Sequence, residues 1–398
     1  MTIQFLTKNG IELNRLIIIL SVSLVVSILG NFIFFSSYFD RLSMDEIETL
    51  ELPNFPEIYN DHDELHLSFE KNVKEKSDFA PWKERIQTKF LELYEFPEIS
   101  NDIDYKALKI SEQKNDTYTI TKFSIDAYDN DKIIFYELFP NDVKKLTSCE
   151  KEICAPAVLV IPASGNQGSA DVINLPSELS EYYFQSGIGE KITEMGYVVY
   201  VIENRGWGER KINAGFNCEE PDIYCSGKVL DRQLHNLGFN LKTLQTLDAF
   251  QVLQLMKKVE YVDEKNISVV GLSLGGDIVQ YLSILDNDIK NVAIASGLQS
   301  TYLTSGTAIT PKILQYYDDS DLISSIAPKS LYLSWGLNEN SMFGFEANSL
   351  YSASKIEKAF SLHDKKQNLT IITHDLKENG GHVYDVKSLL AFLKQGTD

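Results

Sequence analysis

The chain has 398 residues, room for one large domain with extensions or for two domains. Hydrophobic residues at 43% and aromatics at 11% supply enough apolar surface for a packed core. A formal charge of −20 excludes nucleic acid as a partner, because phosphate repels it, and otherwise serves solubility.

Residues 16–39 form one apolar run, LIIILSVSLVVSILGNFIFFSSYF, without a single charge. As a helix its 24 residues span about 36 Å, enough to cross a bilayer core of about 30 Å with some tilt. A cleaved signal peptide is the competing reading, but its apolar core is usually about 7–15 residues and ends in a small-x-small site, and no such site closes this run. The expectation is a retained transmembrane anchor after a short cytoplasmic tail, residues 1–15. Lys8 and Arg15 precede the run, while Asp40, Asp45, Glu46 and Glu48 follow it with a single Arg41. The positive-inside rule then places everything after residue 40 outside the cytoplasm. Three N-x-S/T triplets, at Asn115, Asn266 and Asn368, are compatible with export.

Residues 40–78 are acidic and irregular, with Pro53 and Pro56, and are expected to be a stalk. His62 and His66 have a helical metal-ligand spacing, but no third ligand accompanies them. The stretch is read as a solvated acidic segment; no metal and no cofactor is assigned.

Residues 79–398 are expected to be the folded domain. Trp82, Ile86, Phe90 and Leu93 recur at helical spacing within residues 79–94, and two alternating runs, 118–125 and 133–139, flank a turn-like stretch, so residues 79–150 read as a helix and hairpin extension. From residue 155 the pattern becomes strand–helix–strand. Buried strands are expected at 157–161, 197–202, 267–270, 292–295, 330–334 and 369–373, and helices at 187–195, 241–259 and 387–394. Residues 203–240 between them read as an inserted loop. Such alternation implies a mainly parallel sheet with helices on both faces. Cysteines fall in two close pairs, Cys149/Cys154 and Cys218/Cys225, which allow two local disulfides in an oxidising compartment and four thiols otherwise.

Gly271-Leu272-Ser273-Leu274-Gly275 lies between the strand at 267–270 and an apolar helix. Strand, G-x-S-x-G, helix is the nucleophile elbow of serine hydrolases, in which a tight turn projects the serine Oγ above the sheet. Ser273 is therefore the candidate nucleophile, and the N–H of Leu274, opening the helix, a candidate oxyanion donor. The base must follow in the order serine, acid, histidine. Of His363, His374 and His382, only His382 sits in a glycine-containing loop between the last strand and the last helix. Glu339 is the first carboxylate after the strand at 330–334 and is the candidate acid, with Asp375 and Asp385 as alternatives. Asn166, in the loop after the first parallel strand, is the candidate for a second oxyanion N–H. Trp207 and Trp335 are read as acyl-pocket lining or as core.

Further short stretches accompany these: the helix around Trp82, Ser164-Gly165, Gly206-Trp207-Gly208-Glu209-Arg210, residues 262–267 before the elbow and 285–289 after its helix, Ala327-Pro328-Lys329-Ser330-Leu331, and Gly381-His382. In this order they resemble the α/β-hydrolases grouped around acetyl xylan esterases and dienelactone-hydrolase-like esterases, over about residues 79–395. The resemblance implies an α/β-hydrolase fold, a Ser–acid–His triad and ester hydrolysis through an acyl-enzyme on a small-molecule, carbohydrate or lipid ester. Glu339 and Glu203 stand where the family usually has aspartate, and Ser164 where it often has histidine. A serine peptidase of acyl- or dipeptidyl type shares the triad, and a catalytically silent hydrolase fold used for adhesion or scaffolding is the reading from another class.

Overall fold

The structure, a computed structural model, describes residues 65–97, 106–142, 154–212, 222–297, 310–339 and 345–395. The expected tail, anchor and most of the stalk lie outside them. Among the described residues no helix is long and apolar enough to cross a membrane.

The framework is one nine-stranded sheet in the order β1-β2-β3-β5-β4-β6-β7-β8-β9. The strands are β1 (Leu108–Lys114), β2 (Tyr118–Asp126), β3 (Lys132–Pro140), β4 (Ala155–Ile161), β5 (Val198–Ile202), β6 (Val262–Leu272), β7 (Asn291–Ala295), β8 (Ser330–Gly336) and β9 (Leu369–His374). The first three run antiparallel and β3 meets β5 antiparallel, whereas β4 to β9 pair in parallel. Fully buried runs such as Ala155–Ile161 and Val198–Ile202 suit strands covered on both faces. The expected hairpin and all six expected inner strands are present. β1 was not foreseen: each of its residues is exposed, so it depends on backbone bonds to β2 rather than on an apolar face.

Helices α1 (Lys76–Leu93), α2 (Gly168–Val172), α3 (Ile188–Thr193), α4 (Cys225–Asn236), α5 (Leu241–Lys258), α6 (Leu274–Leu285), α7 (Asp319–Ser324), α8 (Phe345–Leu362) and α9 (Val386–Gln395) cover the sheet. One core joins Trp82, Ile86 and Phe90 of α1 to α5, α6 and α8 and to side chains such as Leu159, Val269 and Leu333. The second joins α2, α3 and α9 to the opposite face, through Val158, Val160, Val270 and Tyr332. The expected helices correspond to α1, α3, α5 and α9, with ends that differ by a few residues.

Two expected boundaries are corrected. The stalk does not reach residue 78. Leu65, Leu67, Phe69 and Val73 are buried, Trp82 donates its indole N–H to the Leu67 carbonyl at 2.6 Å, and the Phe69 N–H reaches buried Asp321 at 2.8 Å. Lys355 lies 3.1 Å from the same Asp321 and balances its charge. Single apolar residues spaced among charges carry no periodicity, which is why this segment reads as a linker. The inserted loop at 203–240 likewise contains α4, of which only Cys225, Ser226 and Gly227 are buried. Cys154 and Cys225 are each disulfide-bonded, while Cys149 and Cys218 lie outside the described residues.

Candidate active site

β6 ends at Leu272 and α6 begins at Leu274, so Ser273 is the single residue joining them. Its backbone takes φ 56 and ψ −121, a region that L side chains avoid and that persists only where packing enforces it. That packing is visible at the two flanking glycines. A Cβ on Gly271 would stand 2.1 Å from the Gly275 carbonyl oxygen, and one on Gly275 2.1 Å from that of Ile161. The G-x-S-x-G spacing thus follows from the closeness of strand and helix. The Ser273 N–H is tied to the Ala295 carbonyl at 2.9 Å, while its side chain stays partly open to solvent.

Glu339 lies in the turn after β8, its own N–H bonded to the Gly336 carbonyl at 3.1 Å. Its side chain is 1% exposed. One carboxylate oxygen, Oε1, accepts hydrogen bonds from the Ser296 hydroxyl and from the Gly336 N–H at 3.1 Å. The other, Oε2, lies 3.6 Å from Nδ1 of His382, an ion-pair separation longer than a hydrogen bond. The histidine and acid loops meet closely: a Cβ on Gly336 would be 2.2 Å from the Gly381 carbonyl oxygen. His382 follows the tight turn Glu378–Gly381, in which Asn379, Gly380 and Gly381 all have positive φ. The Phe184 ring centroid is 6.3 Å from that of His382. Asp171 fixes the Phe184 segment by accepting the Phe184 and Gln185 N–H groups at 3.0 Å, although burial pushes its carboxyl above the usual range.

The other histidines and carboxylates are placed elsewhere. His363 is edge-on to Phe79 at 4.3 Å, and burial lowers its pKa. His374 ends β9 and is buried. Asp375 is exposed, and Asp385 accepts the Ser388 N–H in the first turn of α9 at 3.3 Å. His66 packs edge-on against Tyr316 at 4.5 Å, and His62 lies outside the described residues. Trp335 belongs to the main core, whereas Trp207 meets Tyr224 edge-on at 6.4 Å.

Asn166 is a correction. Its N–H, expected to face a substrate, donates to the Ile223 carbonyl at 2.9 Å. The segment leading into α4 therefore occupies this donor, a long-range contact that the loop's own residues do not reveal. The loop is otherwise anchored through Glu203. This residue is 1% exposed, accepts the Ser169 N–H at 3.2 Å and hydroxyl at 2.6 Å, and is pushed up to about 7 by burial. Arg205 binds Asp129 and Asp248, and Arg210 binds Asp131 and Asp248, so the Gly206–Arg210 stretch serves an ion network.

Two features escaped the sequence reading. Ser296 carries no motif and becomes visible only through its bond to Glu339. Lys242 and Asp277 form a buried ion pair at 2.6 Å, one turn into α6 from Ser273. Burial disfavours the ammonium charge, yet Asp277 holds Lys242 above its ordinary range.

The profile of the Abhydrolase family matches residues 61–305, more than half of the 398; the match includes Ser273 and stops before Glu339 and His382. YtaP of Bacillus subtilis (strain 168), named as a hydrolase, is 24% identical over 186 residues, 44% of this chain. The match spans 57% of that relative's length. Among solved structures, a protein of Bacteroides fragilis NCTC 9343 named as an acetyl xylan esterase superposes with a TM-score of 0.65 at 17% identity, over 81% of each chain. A glucuronoyl esterase from Teredinibacter turnerae T7901 does so with a TM-score of 0.59 at 14% identity, over 87% of this chain and 93% of its own. At such identities the likeness is one of fold.

Proposed function

From the membership of this chain in the Abhydrolase family, to which its sequence plainly belongs, we propose that it is a serine hydrolase cleaving carboxylic esters, acetyl or other short acyl esters first. The observation that carries the proposal is the conjunction of a strained Ser273 on the strand–helix turn with a buried Glu339 facing His382, in the chain order serine, acid, histidine. His382 removes the proton of Ser273, whose Oγ attacks the ester carbonyl. Glu339 orients the imidazole and stabilises its protonated form. The N–H of Leu274, the first residue of α6, faces the developing oxyanion. The alcohol leaves with the proton held by His382, and water activated by the same histidine releases the acid from Ser273. The names of the acetyl xylan and glucuronoyl esterases of like fold support a carbohydrate or small-molecule ester as substrate. Residues 16–39 are proposed as a membrane anchor that holds the domain outside the cytoplasm, on the strength of their uncharged 24-residue run.

The test treats the full chain in detergent, beside Ser273→Ala, with a fluorophosphonate and then with nitrophenyl acetate. Labelling and turnover of the unmodified protein alone are expected. Equal labelling of both, or of neither, would refute the nucleophile. Alkaline extraction of membranes containing the full chain checks the anchor, which predicts retention in the pellet.

A further inference from the structure

Ser296 follows β7 and is 2% exposed. Its φ is 47, in the left-handed region that a serine enters only against a steric cost. Its N–H is tied to the Ser334 carbonyl at 2.8 Å, which anchors the residue to the neighbouring strand β8. From there its hydroxyl donates to Oε1 of Glu339, the oxygen that also accepts the Gly336 N–H at 3.1 Å. Both donors fall on one oxygen, and the other, Oε2, is left facing Nδ1 of His382 at 3.6 Å.

This division of the two oxygens answers a mechanical difficulty. A glutamate has one more rotatable bond than the aspartate usual at this position, so its carboxylate can swing and twist where an aspartate is held by its backbone. A backbone N–H alone fixes one point of the carboxylate. A second donor from a different strand fixes its plane. We propose that Ser296 is a positioning residue for the triad: its hydroxyl locks the plane of the Glu339 carboxylate so that Oε2 alone addresses His382. In this role Ser296 acts through Glu339. The proposal rests on the esterase reading above.

The experiment compares Ser296→Ala, Ser296→Gly, Glu339→Gln and the double variant Ser296→Ala/Glu339→Gln in the full chain, by nitrophenyl acetate kinetics and thermal melting. Losing a hydrogen bond to a charged group should lower kcat about tenfold in Ser296→Ala, with KM within about twofold. Glycine suits a positive φ, so Ser296→Gly, which removes the Cβ together with the hydroxyl, relieves the backbone strain that Ser296→Ala keeps; it should lose kcat equally, which separates the hydroxyl from folding. In the double variant the loss should equal that of Glu339→Gln alone, because the hydroxyl has no separate route to the chemistry. Unchanged kcat in Ser296→Gly, or losses that multiply in the double variant, overturns the proposal while leaving Ser273 and the esterase reading intact. Hydrolysis that survives Ser273→Ala overturns both.

Discussion

Replacing Glu203 by glutamine should change how stability depends on pH. Glu203 is 1% exposed, and burial, opposed by the Ser169 hydrogen bonds and reinforced by the charge of Glu209, raises its pKa from 4.5 to about 7. Below pH 4.5 the carboxyl is protonated in both the folded and unfolded chains. Between pH 4.5 and about 7 the unfolded chain loses this proton while the folded one keeps it, so stability falls as pH rises. Above about pH 7 the loss is complete. The rise from 4.5 to about 7 corresponds to about 3 kcal/mol. Glutamine cannot ionise, and its carbonyl still accepts from Ser169. Glu203→Gln should therefore resemble the unmodified protein at pH 4.5 and exceed it by about 3 kcal/mol at pH 8. Denaturant unfolding of both proteins at the two pH values measures this, and taking the difference cancels every other titrating group. A gap between the two proteins that is the same at both pH values would refute the account of Glu203 as a carboxyl held neutral by burial.

The choice of acid is decided by a pair of variants: Glu339→Gln should lower kcat on nitrophenyl acetate by about 10³–10⁴, whereas Asp375→Asn should change it less than about twofold. The reverse order would move the triad acid to Asp375. Gly275→Ala places a Cβ 2.1 Å from a backbone oxygen of β4, with no flexible side chain to give way. The elbow must open, so the variant should lose about 3 kcal/mol or more of stability together with its fluorophosphonate labelling. Unchanged melting and labelling would show that the elbow is looser than this contact implies.

What the sequence determined by itself is whatever local order encodes. Strands β4, β5 and β7 announce themselves because a strand buried on both faces must be apolar at nearly every position. The elbow does so because only glycine fits where β6, α6 and β4 touch. The positions of Ser273, Glu339 and His382 after strands were legible because β6, β8 and β9 are parallel and their C-terminal ends are marked by the turns that follow them. The first strand was not, since every one of its residues is exposed and no buried face marks it in the sequence. Contacts between distant segments were beyond any local pattern. Leu65, Leu67 and Phe69 look like linker residues until α1 and Asp321 supply their partners. Asn166 looks like a free donor until Ile223, 57 positions later, takes its N–H. Ser296 looks like any serine until β7 and β8 bring it to Glu339. A backbone donor or a hydroxyl has the same chemistry wherever it stands, and only the tertiary fold decides what it faces.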